Sequence, residues 1–147
     1  MRPLGDAIKP RYEWDMRKRF DVPPSLADLD DLAREAFEMI PEELRTHAAE
    51  VVIRVLDFPD DDTVREMGLR SPFELSGLYS GIPIGEKSVS ATSGHVDMIF
   101  LYRRPLLDEW CETGVDLTRL IRHVLIHEIG HHFGFSDAAM ARIEAAE

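Results

Sequence analysis

The stretch that most constrains this chain lies between two glycines, Gly114 and Gly134. It opens on Asp116, a residue type that caps helix N-termini, and continues through Leu117, Leu120, Ile121, Val124, Leu125, Ile126, Ile129 and Phe133. Apolar residues at that density predict a helix over 117–133 that is buried on nearly every side. Gly134 is placed to be the left-handed residue just past its end. A chain carrying such a helix must supply other layers to cover it, which points to a packed globular domain rather than an extended or fibrous form. Polar residues interrupt the apolar pattern at His127, Glu128, His131 and His132. A buried glutamate needs a partner, and Gly130 in mid-helix costs about 1 kcal/mol relative to alanine, so close packing is expected there.

The polar residues form an ordered series, His127-Glu128-Ile129-Gly130-His131-His132-Phe133-Gly134-Phe135-Ser136-Asp137. Residues four apart on a helix are neighbours on one face. His127 and His131 can thus present two imidazole nitrogens to one ion at about 2.0–2.1 Å. Glu128 lies about 100° further round, close enough to reach a water on that ion without ligating it. Catalytic zinc usually takes three protein ligands and a water. The left-handed exit at Gly134 can bring Asp137 back as the third; the competing role for Asp137 is to cap a final helix together with Ser136. His-Glu-x-x-His alone arises by chance in roughly 2% of chains of this composition, whereas the form extended through Gly134 and Asp137 arises in roughly 0.02%. His132 points to another side. His123 is one turn before His127, and three histidines over two turns span about 12 Å of helix axis, too far for one tetrahedral ion. His95 is the other conceivable third ligand.

With 147 residues, 44% of them hydrophobic, the chain is long enough for one domain with an ordinary core. The net charge of −11 argues against nucleic acid and anionic membrane surfaces as partners. There is no apolar run long enough to span a bilayer and no apolar leader segment. Cys111 is the sole cysteine. A single thiol fits a reducing compartment, most simply the cytoplasm, and Cys111 itself is expected to be a small buried hydrophobe.

Residues 1–24 are expected to be an N-terminal arm preceding a domain at 25–147. Ser25 and Asp28 resemble a capping box for a helix ended by Pro41. Residues 51–58 and 96–103 predict strands, with a short helix after the first, up to about Gly68. The glycine- and serine-rich segment 76–94 predicts a loop or irregular hairpin. Pro105 is expected to stop the second strand, and a helix over about 106–112 follows, broken by Gly114. A last helix covers most of 137–146.

The extended motif resembles the zincin metallopeptidases, in the metzincin pattern with Asp in place of the third His. Leu-Ser-Gly-Leu-Tyr-Ser-Gly-Ile-Pro-Ile at 75–84, Ile-Phe-Leu-Tyr-Arg-Arg-Pro-Leu at 99–106 and the block at 123–137 are similar to a narrower group, the minimal zincins. The resemblance implies an α+β class and a compact zincin-like fold, in which a small mixed β-sheet packs on a long metal-binding helix. It further implies Zn2+ held by His127, His131 and Asp137, Glu128 as the general base, and a peptide or protein substrate lying along an edge strand, for which 96–103 is the natural candidate. Tyr79, Tyr102, His95 and Arg103 are candidates by residue type for stabilising an oxyanion. Metzincins place a methionine turn beneath the metal; only ten residues follow Asp137, and Met140 falls in a predicted helix. Two other functions fit the same residues: a non-catalytic metal-stabilised domain that binds a protein partner, and a zinc hydrolase of small amides.

Overall fold

In a computed structural model, residues 22–81 and 96–145 are described. Most of the expected N-terminal arm, and His95 with it, therefore lies outside the described residues. The first helix, α1 (Leu26–Glu38), begins on the capping box that the sequence announces. The Asp28 N–H donates to Ser25 Oγ at 3.1 Å and the Ser25 N–H to Asp28 Oδ2 at 2.8 Å, satisfying two amides that have no partner within the helix. Leu29, Ala33, Ala36 and, just beyond the helix, Ile40 are spaced three or four apart and are buried. A short helix, α2 (Glu42–His47), follows Pro41, which the sequence pattern does not signal.

Three strands form one mixed sheet. The first, β1 (Val52–Leu56), runs parallel to β3 (Met98–Tyr102), and β2 (Gly77–Ser80) runs antiparallel to β3, giving the order β1-β3-β2. Between β1 and β2 lie α3 (Asp61–Glu66), capped by Asp60, and a 3-10 turn at Pro72–Glu74. One face of the sheet carries Ile99 and Leu101, both fully buried, flanked by Ile53 and Val55. Against that face lies α5 (Leu117–His132), with α1 packed along it. The class is thus α+β, as the sequence implies.

Three expectations need correction. First, residues 76–94 are not simply a loop: Gly77–Ser80 is strand β2. Gly77 is no turn signal. A Cβ there would stand 2.6 Å from Val124 Cγ1, so the glycine lets the strand lie directly on α5. Residues 82–94 fall outside the described set. Second, 96–103 cannot be an edge strand for a substrate, because β3 is the central strand and β2 takes the edge. Third, Pro105 does not separate strand from helix. Helix α4 (Arg103–Thr113) starts directly after β3, and Pro105 sits in its first turn, where a missing N–H disturbs nothing. Cys111, on the same helix, is exposed rather than buried.

The chain's turn chemistry follows its glycines and caps. Gly114 ends α4 with φ 68°. Asp116 Oδ1 accepts the Arg119 N–H at 3.0 Å and starts α5. No helix among the described residues is long and apolar enough to cross a membrane.

Candidate metal centre

The site grows out of the last turns of α5 and the residues after it. Gly134, at φ 84°, reverses the chain. Its N–H donates to the His131 carbonyl and the Phe135 N–H to the Gly130 carbonyl, both at 2.9 Å. This pairing satisfies the helix's terminal carbonyls and turns the following segment back along the helix end. Ser136 then caps α6 (Asp137–Ala145), accepting the Ala139 N–H at 3.2 Å. With Ser136 as the cap, the Asp137 carboxylate is turned to the imidazoles.

His127 Nε2 and His131 Nε2 are 3.2 Å apart, and Asp137 Oδ1 is 3.2 Å from each. A tetrahedral ion about 2.0–2.1 Å from three donors requires them to be about 3.3–3.4 Å from one another. The triangle therefore fits zinc in size and in donor type. The His131 tautomer fits as well. Its Nδ1 lies 3.1 Å from the Phe135 carbonyl, which can only accept. Nδ1 must carry the proton, and Nε2 offers its lone pair to the centre of the triangle. Both histidine side chains are about one-third exposed and Asp137 is 81% exposed, so one side of the triangle faces solvent.

Glu128 stands beside this triangle at only 8% exposure. Its Oε2 accepts the backbone N–H of Tyr79 at 2.8 Å, which ties it to the edge strand. Burial pushes its carboxyl upward from the usual carboxylate range. The His131 and His127 imidazoles and the Tyr79 N–H pull the other way, and Asp137 adds to the upward push. Among the described residues no strand pairs with the outer side of β2. The Tyr102 N–H donates to the Ser76 carbonyl, so the alternation of an antiparallel ladder turns the backbone N–H and C=O of Gly77 and Tyr79 away from β3. A cleft of about 760 Å³ runs between this edge and the donor triangle, walled by Met67, Leu75, Leu78, Phe133 and Phe135.

Beneath the triangle the packing is tight. Met140 on α6 is 2% exposed and lies against Gly130, where a Cβ would stand 2.0 Å from its Sδ. The sequence flags the glycine as a packing position; what it cannot show is that Met140 is the neighbour, since that depends on the angle at which α6 returns. A methionine thus packs against α5 from a helix rather than from a turn.

Of the remaining candidates, His132 is buried at 4% exposure, with its Nδ1 2.9 Å from the Tyr79 hydroxyl and 3.8 Å from Asp97 Oδ2. His123 is exposed and stands outside the donor group. None of the described oxyanion candidates reaches the cleft with a free donor. The Tyr79 hydroxyl is turned to His132. Tyr102 is buried, which pushes its phenol up to about 12, with Asp60 and Glu128 adding to the effect. Arg103 donates to the Pro24 carbonyl and pairs with Asp57. The Tyr79–His132–Asp97 cluster has no sequence signature, because its members are brought together only by strand register.

A small mixed sheet lying on a helix with two histidines one turn apart, above which an edge strand borders an open cleft, defines the architecture of a metallopeptidase-like α+β domain. A family model for zincin-like metallopeptidases matches residues 48–146, and the chain belongs to that family. The match covers the sheet, both helices of the site and every residue of the donor triangle. No curated protein matches the chain.

Proposed function

We propose that this protein is a zinc-dependent peptidase in which His127, His131 and Asp137 hold the ion and Glu128 is the general base. The observation that carries the reading is the donor triangle, sized for a tetrahedral ion, with a buried carboxylate beside it and an open strand edge above it. Zinc held there would supply Lewis acidity and lower the pKa of a water toward about 7. The rest of the chemistry belongs to the chain. The Tyr79 N–H occupies Glu128 Oε2, which leaves Oε1 as the oxygen that would hold and move a proton. A base poised upward by burial accepts that proton more readily and can then deliver it to the departing amine.

A peptide would enter as an added strand beside β2, using the outward backbone groups at Gly77 and the Tyr79 carbonyl. The cleft walls favour apolar side chains on either side of the scissile bond, and the described lining holds carboxylates but no lysine or arginine. With the Tyr79 phenol and Arg103 engaged elsewhere and Tyr102 buried outside the cleft lining, the metal and backbone amides would carry the oxyanion.

The test is metal content by mass spectrometry on protein purified without chelator, followed by hydrolysis of a peptide library. About one zinc per chain, lost in Asp137→Ala, together with cleavage that is absent in Glu128→Gln, is the expected result. Zinc binding without cleavage of any peptide or small amide would leave the domain as a metal-stabilised binding module.

A further inference from the structure

One side chain of the edge strand reaches from its α5 face into a buried polar pair. On the side of β2 that meets α5, position 77 and, just past the strand, position 81 are glycines, and a Cβ at either would press on a neighbour. A Cβ at Gly77 would strike Val124 Cγ1 at 2.6 Å, and one at Gly81 would stand 2.3 Å from Asp97 Oδ1 and 2.6 Å from the Tyr79 hydroxyl. Tyr79, between them, supplies the side chain of β2 on that face. That phenol reaches His132 Nδ1 at 2.9 Å and also hydrogen-bonds the Asp97 carboxylate. Its partners are 4% and 8% exposed, so both contacts are shielded from water. The same residue donates its backbone N–H to Glu128 Oε2. His132 directly follows His131 on α5, and Asp97 directly precedes β3, so the anchor joins the donor helix to the central strand.

We infer that Tyr79 is a positioning residue: its phenol, pinned between His132 and Asp97, fixes the edge strand over α5 so that its own N–H holds the Glu128 carboxylate in place. Slipping the strand by one residue would put Leu78 or Ser80 at the anchor, and neither can span the same distance to the same partners. The geometric part stands on the contacts alone; its consequence for turnover rests on the peptidase reading.

The experiment follows the amide proton of position 79 by NMR in the zinc-loaded full-length protein, where a carboxylate acceptor should hold it well downfield. Glu128→Gln calibrates the shift on loss of the charged acceptor. Tyr79→Phe removes the hydroxyl and keeps the ring. Gly81→Ala is the second variant, wedging Asp97 from the phenol without deleting either. In both, zinc should remain at about one per chain, and the position-79 amide should move toward its place in Glu128→Gln. With a cleavable peptide, kcat should fall about 10- to 100-fold while KM stays within about twofold. An unmoved amide in either folded variant overturns the proposal. Should both variants unfold, hydrogen exchange on the wild type decides: protection at position 79 equal to that at Ile99 and Leu101 supports the anchor, and fast exchange refutes it. A protein that shows the amide signature yet cleaves no peptide would refute the peptidase reading alone.

Discussion

Helix α5 answers to two different demands along its length. In its first half, Leu117, Leu120, Ile121, Val124 and Leu125 are buried in the core beside α1 and the sheet. In its second half the buried set includes Glu128, Gly130 and His132, and the half-exposed set includes His127 and His131. The first half tolerates any apolar side chain of suitable volume, because its task is to remove surface from water. On the proposed reading, residue identity in the second half is set by chemistry: a nitrogen lone pair, a carboxylate, a missing Cβ. The comparison teaches that stability and function are separable on one helix. Substitutions in the first half should lower stability and leave the site's intrinsic properties alone; substitutions in the second half should do the reverse.

The largest expected effect tests the second half. Glu128→Gln should lower turnover by about 10²- to 10⁴-fold, the usual contribution of a positioned base, with zinc content unchanged. Retained turnover would remove Glu128 from the chemistry. Next comes zinc-linked stability. With zinc at about 1,000 times its dissociation constant, binding should stabilise the fold by about 4 kcal/mol. His131→Ala should lose most of that increment at the same zinc concentration, while its chelated form melts close to the chelated wild type. A large loss of stability in the chelated variant would mean that His131 is a core residue and break the comparison. The first half supplies the converse. Leu125→Ala, at a fully buried position, should cost about 3 kcal/mol in chemical denaturation, and the folded fraction should still bind zinc with the wild-type stoichiometry.

The two halves also differ in how far their sequence could be read. The length of α5, its Asp116 cap and its Gly134 exit follow from spacing and from two residue types whose backbone roles are narrow. The same holds for α1, where Ser25 and Asp28 bond reciprocally. The grouping of His127, His131 and Asp137 was legible because all three belong to one local segment, so no long-range pairing is needed to bring them together. What was not legible depends on pairing between distant segments. Gly77 and Gly81 signal a loop when read in isolation; only the closeness of Val124 to one and of Asp97 to the other shows that a strand residue and the residue just past the strand are trimmed for close approach. The strand order was hidden for a similar reason. Residues 98–102 are central because they pair with β1 on one side and with β2 on the other, and no local pattern announces either pairing. Cys111 faces outward because the buried residues of α4 are Pro105 and Leu106, near its other end.

The smallest expected effect is the most discriminating, because it lies where the two demands meet. Gly130 sits between His127 and His131, and Met140 fills the space that a side chain there would need. In the wild-type background, Gly130→Ala gains about 1 kcal/mol of helix propensity. It also forces a Cβ into the thioether of a methionine that is 2% exposed. Overpacking of this kind costs about 1–3 kcal/mol, so the net effect should be a destabilisation of about 1 kcal/mol. In a Met140→Ala background the obstruction is gone, and the same Gly130→Ala change should become stabilising, by up to about 1 kcal/mol. A double-mutant cycle by urea denaturation measures this reversal of sign directly. Running the cycle again with zinc present adds the second half's own readout. If Met140 supports the turn that carries both imidazoles, Gly130→Ala should weaken zinc binding in the wild-type background and leave it unchanged when Met140 is alanine. Equal zinc affinity across all four proteins would mean that Met140 fills the core without supporting the donor triangle, and would assign the packing beneath the metal to stability alone.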